Sequence, residues 1–227
     1  MYMYKLLFVC GFNTHSTQNQ NDAYFVIKQF LNASQYKVDF FTYTTNERII
    51  DVYKRLNVLT PSYDIIIGHS MGGGLIYRMM CDKLLLENQK VILLMPFVYA
   101  PQWQKMLTNI PLIDKIYIPN SLLFPSSKLF DLGNMSNNNN TLIQLHQVID
   151  MIQWMPEIDN LPDIINNNKN VSVIFGNNDE ISGIPSIISS RIINSKLVPG
   201  LHEPFNSRRF DNVFFTILEN ALTNRPL

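Results

Sequence analysis

In Gly68-His69-Ser70-Met71-Gly72 one serine stands between two glycines, directly after the apolar run Tyr63-Asp64-Ile65-Ile66-Ile67. A serine hydroxyl serves as a nucleophile when the backbone turns sharply and presents it clear of the chain, and neighbours two positions away without side chains leave that room. The run before it is mostly β-branched and does not alternate, the pattern of a strand buried on both faces. After it, Leu75, Ile76, Met79, Met80, Leu84 and Leu85 recur at helical spacing, with Arg78, Asp82 and Lys83 between them. Strand, tight turn and helix together make a nucleophile elbow; an ordinary strand-to-helix turn of a nucleotide-binding fold is the competing reading. The first N–H groups of a helix have no intrahelical acceptor, so the Met71 N–H would face an oxyanion forming beside Ser70. Gly73 and Gly74 would let the helix pack close against the sheet.

Serine needs a base within hydrogen-bond reach, and the base needs a group that fixes its tautomer and orientation. Of the four histidines, His69 adjoins the serine, and side chains of neighbours diverge in a sharp turn, so it belongs under the elbow or bonded to a loop. His146 ends the helical stretch Leu142-Ile143-Gln144-Leu145-His146 and reads as solvated or satisfied. His15 follows the first strand, within reach of a substrate but on the wrong side for a base. His202 lies in Val198-Pro199-Gly200-Leu201-His202-Glu203-Pro204, a loop leaving the last strand, and is the candidate base. The orienting acid should also follow a strand end, and the strand over 171–175 runs into Gly176-Asn177-Asn178-Asp179-Glu180. Asp179 is the candidate, Glu180 the fallback, and an Asx-type turn the purely structural alternative for both.

The elements that must position these residues alternate. Strands are expected over 6–10, 36–41, 63–67, 91–95, 171–175 and 196–198, and helices over 22–31, 48–59, after Ser70, from Pro185, and over 207–222. Such alternation demands a mostly parallel sheet with helices on both faces. Between Met95 and Val171 the rhythm breaks in a stretch far longer than a simple crossover needs. It is rich in large apolar groups, among them Trp103, Met106, Leu107, Ile110, Tyr117, Phe124, Trp154 and Met155, and is punctuated by Pro101, Pro111, Pro119, Pro125 and Pro156. We read residues 97–165 as a helical cap inserted into a single domain spanning 1–227, with Phe97, Trp103, Met106 and Trp154 roofing an apolar substrate cavity. The alternative is that such side chains make only the cap's own small core. The asparagine runs 137–140 and 166–168 read as loops.

Composition narrows the partners. A chain of 227 residues, 46% apolar, is long enough to bury one sizeable core. Eighteen basic and eighteen acidic residues leave no net charge, hence no electrostatic footprint for nucleic acid or an anionic membrane. No apolar stretch is long enough for a signal or membrane-spanning segment, and Cys10 and Cys81 read as buried thiols of a reducing compartment. The expectation is a cytoplasmic protein without stable membrane insertion, monomeric or homodimeric.

The chain resembles the α/β-hydrolase superfamily of esterases, lipases and thioesterases nearly end to end. Gly68-His69-Ser70-Met71-Gly72-Gly73 is similar to the elbow of the monoglyceride-lipase-like branches, Phe175-Gly176-Asn177-Asn178-Asp179 to the family's acid loop, and Gly200-Leu201-His202 to its histidine loop. The order serine, acid, histidine is also that of the family. Many relatives read His-Gly after the first strand. Here Cys10-Gly11-Phe12-Asn13 stands in that place, so the resemblance makes the Phe12 N–H the second oxyanion donor beside Met71. It implies a minimal sheet of about six strands, without the antiparallel strands that open larger relatives. The activity it implies is cleavage of a small-molecule ester or thioester of a hydrophobic acyl group by Ser70, His202 and Asp179, with no metal or organic cofactor. An acyltransferase with the same residues, or a non-catalytic ligand-binding member, is the alternative.

Overall fold

The computed structural model describes residues 3–12, 24–34, 36–44, 46–99, 105–106, 108–109, 115–119, 142–156, 158–179, 181–182, 184, 186–200, 202–203, 205 and 211–223. Six strands form one parallel sheet: β1 (Tyr4–Val9), β2 (Tyr36–Phe41), β3 (Ile65–His69), β4 (Lys90–Leu94), β7 (Val171–Gly176) and β8 (Ser195–Val198). All neighbours pair in parallel, as the alternating pattern predicts, and their spatial order is β2-β1-β3-β4-β7-β8. The pleat divides each strand between two cores. Leu7, Val9, Ile66, Val91, Leu93, Val171 and Val173 pack with α2 (Ile49–Leu59), α3 (Met71–Cys81), α4 (His146–Trp154) and α5 (Leu161–Asn166). Leu6, Phe8, Ile65, Ile67, Ile92, Leu94 and Ile174 pack with α1 (Phe25–Ala33) and α7 (Asp211–Leu222) on the other face. A short helix, α6 (Ser186–Ser189), precedes β8.

Three local features differ from the sequence reading. The elbow helix stops at Cys81 and does not reach Leu84 or Leu85. Lys83 takes a left-handed φ of 56°, and the N–H groups of Lys83 and Leu84 return to Met80 O and Met79 O at 3.1 and 2.9 Å. This is a Schellman stop, hidden from sequence because lysine occupies the position glycine usually takes. Secondly, the 97–165 segment is not purely helical. It carries an antiparallel ribbon of β5 (Tyr117–Pro119) and β6 (Leu142–Gln144) besides α4 and α5. Thirdly, Gly73 lies against β3 at the Gly68 carbonyl as expected, but the closest approach to the sheet is at Gly72, where a Cβ would overlap the carbonyl oxygens of Val9 and Cys10, and Gly74 instead makes room for Met151 and the Phe97 carbonyl.

Cys10 lies buried beyond the end of β1 and Cys81 half-buried at the end of α3, and no disulfide joins them. Among the described residues no helix is long and apolar enough to cross a membrane.

Candidate active site

Ser70 sits at the C-terminal end of β3 with φ 53° and ψ −122°, immediately before α3. A non-glycine residue with positive φ is strained, and the surroundings hold it there from both sides. Its N–H donates to Leu94 O at 3.0 Å, and its carbonyl accepts from Gly74 N and Phe97 N at 3.0 and 2.8 Å. The helix thus starts at Met71, whose N–H has no acceptor within the helix.

The loops after β7 and β8 lie side by side because the strands do. Asn177 N donates to Val198 O at 3.0 Å, Asn178 N to Gly200 O at 3.2 Å, and Gly200 N to Asn177 Oδ1 at 3.1 Å. They bring Asp179 and His202 to the elbow. His202 Nε2 lies 2.7 Å from Ser70 Oγ, and His202 Nδ1 lies 2.9 Å from Asp179 Oδ2. The carboxylate acceptor requires the proton on Nδ1, which leaves Nε2 to accept from the serine hydroxyl. The side chains of His202 and Asp179 are each 3% exposed, so these bonds form in a site nearly shut to water.

The Asx turn and the histidine contact are both present, on different oxygens. Asp179 Oδ1 accepts from Ile181 N at 2.9 Å and Ser182 N at 3.0 Å. Oδ2 faces His202 and the Ser182 hydroxyl. Burial pushes this carboxyl up, but the charge and hydrogen bond of His202, with the two bonds from Ser182, outweigh it and hold Asp179 below the ordinary carboxylate range. Ser182 was not singled out in the sequence; a hydroxyl three residues past the candidate acid was its only signal.

His69 points away from Ser70 Oγ and under the elbow, bonded to Tyr24 Oη and to the His202 carbonyl. His146 is buried, with Nε2 3.3 Å from Glu47 O. Phe12 follows Gly11 in the loop beside Ser70 and packs on the core that holds α3. Phe97 is buried with its backbone on the Ser70 carbonyl. Met106 is 64% exposed. Trp154 stands edge-on to Tyr53, centroids 4.4 Å apart, with the Arg78 guanidinium 5.0 Å over its ring. Arg78 lies about 12 Å along α3 from Ser70 at the helical rise per residue, so Trp154 packs on the flank of α2 and α3 and not above the serine. Trp103, Glu180 and His15 lie outside the described residues. A cleft of about 270 Å³ lined by Met80, Lys83, Leu85, Gln89 and Ile164 opens beyond the other end of α3, at the start of β4; it shares no residue with this site.

The sheet order, the elbow and the placement of the loops after β7 and β8 define an α/β-hydrolase fold. Solved structures agree. The monoacylglycerol lipase of Paleococcus ferrophilus superposes with a TM-score of 0.61 at 16% identity, covering 96% of this chain and 94% of its own. A bromoperoxidase from Bacillus anthracis gives 0.63 at 14% identity, with 98% and 92% covered. An esterase from Exiguobacterium antarcticum gives 0.61 at 15% identity, with 97% and 92% covered. No family model and no curated protein sequence matches. The three neighbours bear three different activities in their names, so the likeness identifies the fold and leaves the reaction to be argued from the site.

Proposed function

We propose that the protein is a serine hydrolase that cleaves an ester or thioester of a hydrophobic acyl group through an acyl-enzyme. The observation that carries this reading is the row Ser70 Oγ, His202 and Asp179, at 2.7 and 2.9 Å, set on a strained strand-to-helix turn. Ser70 Oγ attacks the carbonyl carbon while its proton passes to His202 Nε2. Asp179 holds the ring and stabilises the imidazolium that forms. The oxyanion is met by the N–H groups of Met71 and Phe12. Collapse expels the alcohol or thiol, which takes the proton from His202. Water then repeats the sequence in reverse and releases the acid. The scheme requires no metal or organic cofactor.

The substrate class rests on the apolar composition of residues 97–165, which follow β4 in the chain. If it receives an acyl chain, each added methylene raises kcat/KM by up to about 0.8 kcal/mol until the channel is full. The test is a rate profile over p-nitrophenyl esters of increasing acyl length, with an acyl-CoA and a monoacylglycerol alongside and fluorophosphonate labelling of Ser70. A rise followed by a plateau supports the reading. A steady decline from acetyl upward overturns the acyl channel, and absence of both labelling and turnover leaves a binding protein. Product esters formed when an alcohol is added would identify an acyltransferase.

A further inference from the structure

Behind Ser70 runs a buried chain of hydrogen bonds that the reaction scheme above leaves unused. Gly11 N donates to Tyr24 Oη at 2.7 Å, Tyr24 Oη lies 2.6 Å from His69 Nδ1, and His69 Nε2 lies 3.1 Å from the His202 carbonyl oxygen. Tyr24 and His69 are 3% and 1% exposed. Tyr24 stacks on Phe205 with centroids 5.8 Å apart, and Phe205 meets the His69 ring edge-on at 5.2 Å, so the chain lies in a dry aromatic box.

The chemistry of its ends sets its direction. A carbonyl only accepts, so His69 Nε2 carries the proton. The Nδ1 of a neutral imidazole is then bare and can only accept, so the Tyr24 hydroxyl donates to it. The Tyr24 oxygen in turn accepts from Gly11. Each group therefore donates one hydrogen bond to the next, from the Gly11 amide to the His202 carbonyl. Burial, with His202 beside it, pushes the His69 imidazole down to about 3, which keeps it in the neutral form this direction demands.

Both ends sit where the proposed reaction is sensitive. A Cβ on Gly11 would stand 3.1 Å from Ser70 Cβ, and Gly11 leads directly into Phe12. At the other end is the backbone of His202, the residue whose ring faces Ser70. We propose that Tyr24 and His69 are positioning residues: through them the residue before the nucleophile ties the loop carrying the Phe12 N–H to the backbone of the base. The proposal rests on the hydrolase reading. Inside a low-dielectric box such a bond chain is stiff, and a displacement of about 1 Å at a reacting group costs on the order of 10²-fold in rate.

The test has a spectroscopic arm and a kinetic arm. The ring nitrogens of His69, followed by ¹⁵N NMR in the wild-type protein, are expected to show the Nε2–H tautomer with no titration from about pH 5 to 8. An Nδ1–H tautomer, or titration near the ordinary histidine value, overturns the proposal without touching the hydrolase reading. In the kinetic arm, Tyr24→Phe is expected to lower kcat about 10- to 100-fold with KM within about twofold. His69→Gln, which keeps a donor for the His202 carbonyl, should retain more activity than His69→Leu. Tyr24→Phe/His69→Leu should be no slower than the worse single variant. A Tyr24→Phe kcat within about twofold of wild type, or additive losses in the double variant, would overturn the proposal. Turnover that survives Ser70→Ala overturns the hydrolase reading and this proposal with it.

Discussion

The corner that holds Ser70, Asp179 and His202 and the segment that follows β4 are attached to the sheet by different means. At the corner the backbone ladder continues past the strand ends. Ser70 N reaches Leu94 O, Met95 N reaches Ile174 O, and Asn177 N reaches Val198 O, at 3.0, 2.8 and 3.0 Å. Residues 147–154 of the segment are clasped by side chains instead. Arg48 makes two 2.7 Å bonds to Asp150, and Gln147 Nε2 donates to Thr44 O and Glu47 O at 2.7 and 2.8 Å. Trp154 is gripped by Tyr53 and Arg78. A backbone ladder survives a side-chain substitution, so loss of function at the corner reports lost chemistry. A side-chain clasp does not, so substitutions there should alter stability and substrate preference before they alter chemistry.

The largest expected effect tests the first half of that contrast. Ser70→Ala should remove ester turnover and fluorophosphonate labelling together while the thermal unfolding midpoint stays close to wild type. His202→Ala should cost nearly as much, on the order of 10⁵- to 10⁶-fold in kcat, and the double variant scarcely more, because such groups act as a unit. Additive losses would show that His202 is not the base.

Next is Asp179→Asn, which hands His202 the wrong tautomer and should lower kcat on the order of 10³- to 10⁴-fold. Glu180→Gln should change it by less than about tenfold. The reverse pattern would move the role to Glu180.

Trp154→Ala probes the clasp. It should destabilise the fold by about 3 kcal/mol through the cavity left against Tyr53, measured by urea unfolding, and leave the labelling rate of Ser70 by a small fluorophosphonate unchanged. A large loss of labelling at full stability would place Trp154 in the site after all.

A smaller effect follows from pH. His69 is held neutral when folded, down to about 3, whereas the unfolded imidazole takes a proton below about 6.5. Between those values the unfolded chain binds more protons, so stability falls as pH falls. The loss from pH 6.5 to 4.5 should be about 2 kcal/mol, and His69→Gln should flatten that slope. The depressed Asp179 carboxyl adds a loss of the same sign, but below about pH 4. A flat urea midpoint over pH 6.5 to 4.5 in the wild type would contradict the buried neutral His69.

Smallest is the exposed half of the clasp. Arg48 is 58% exposed, so Arg48→Ala should cost no more than about 1 kcal/mol, less at high salt. A greater loss would mean that the pair, and not Gln147 and Trp154, holds α4 in place.

The strands and the elbow were legible in the sequence because their causes are local. A strand buried on both faces must be a nearly unbroken apolar run, as Ile65-Ile66-Ile67 is, and the strained turn at Ser70 leaves its mark as glycines two positions away on either side. The loops carrying Asp179 and His202 were readable for the same reason, since each follows a recognisable strand. What only the tertiary structure decided are choices between partners far apart in the chain. A half-buried tryptophan is equally apolar against α2 and α3 or above a serine, and nothing near Trp154 in sequence tells the two apart. Tyr24 meets His69 and Gly11 only because α1 packs over β1, and Ser182 meets Asp179 only because the loop closes as an Asx turn. Short-range backbone preference is written in a few consecutive residues, whereas the contact between two distant side chains is set by how whole layers pack, to which every residue of the core contributes.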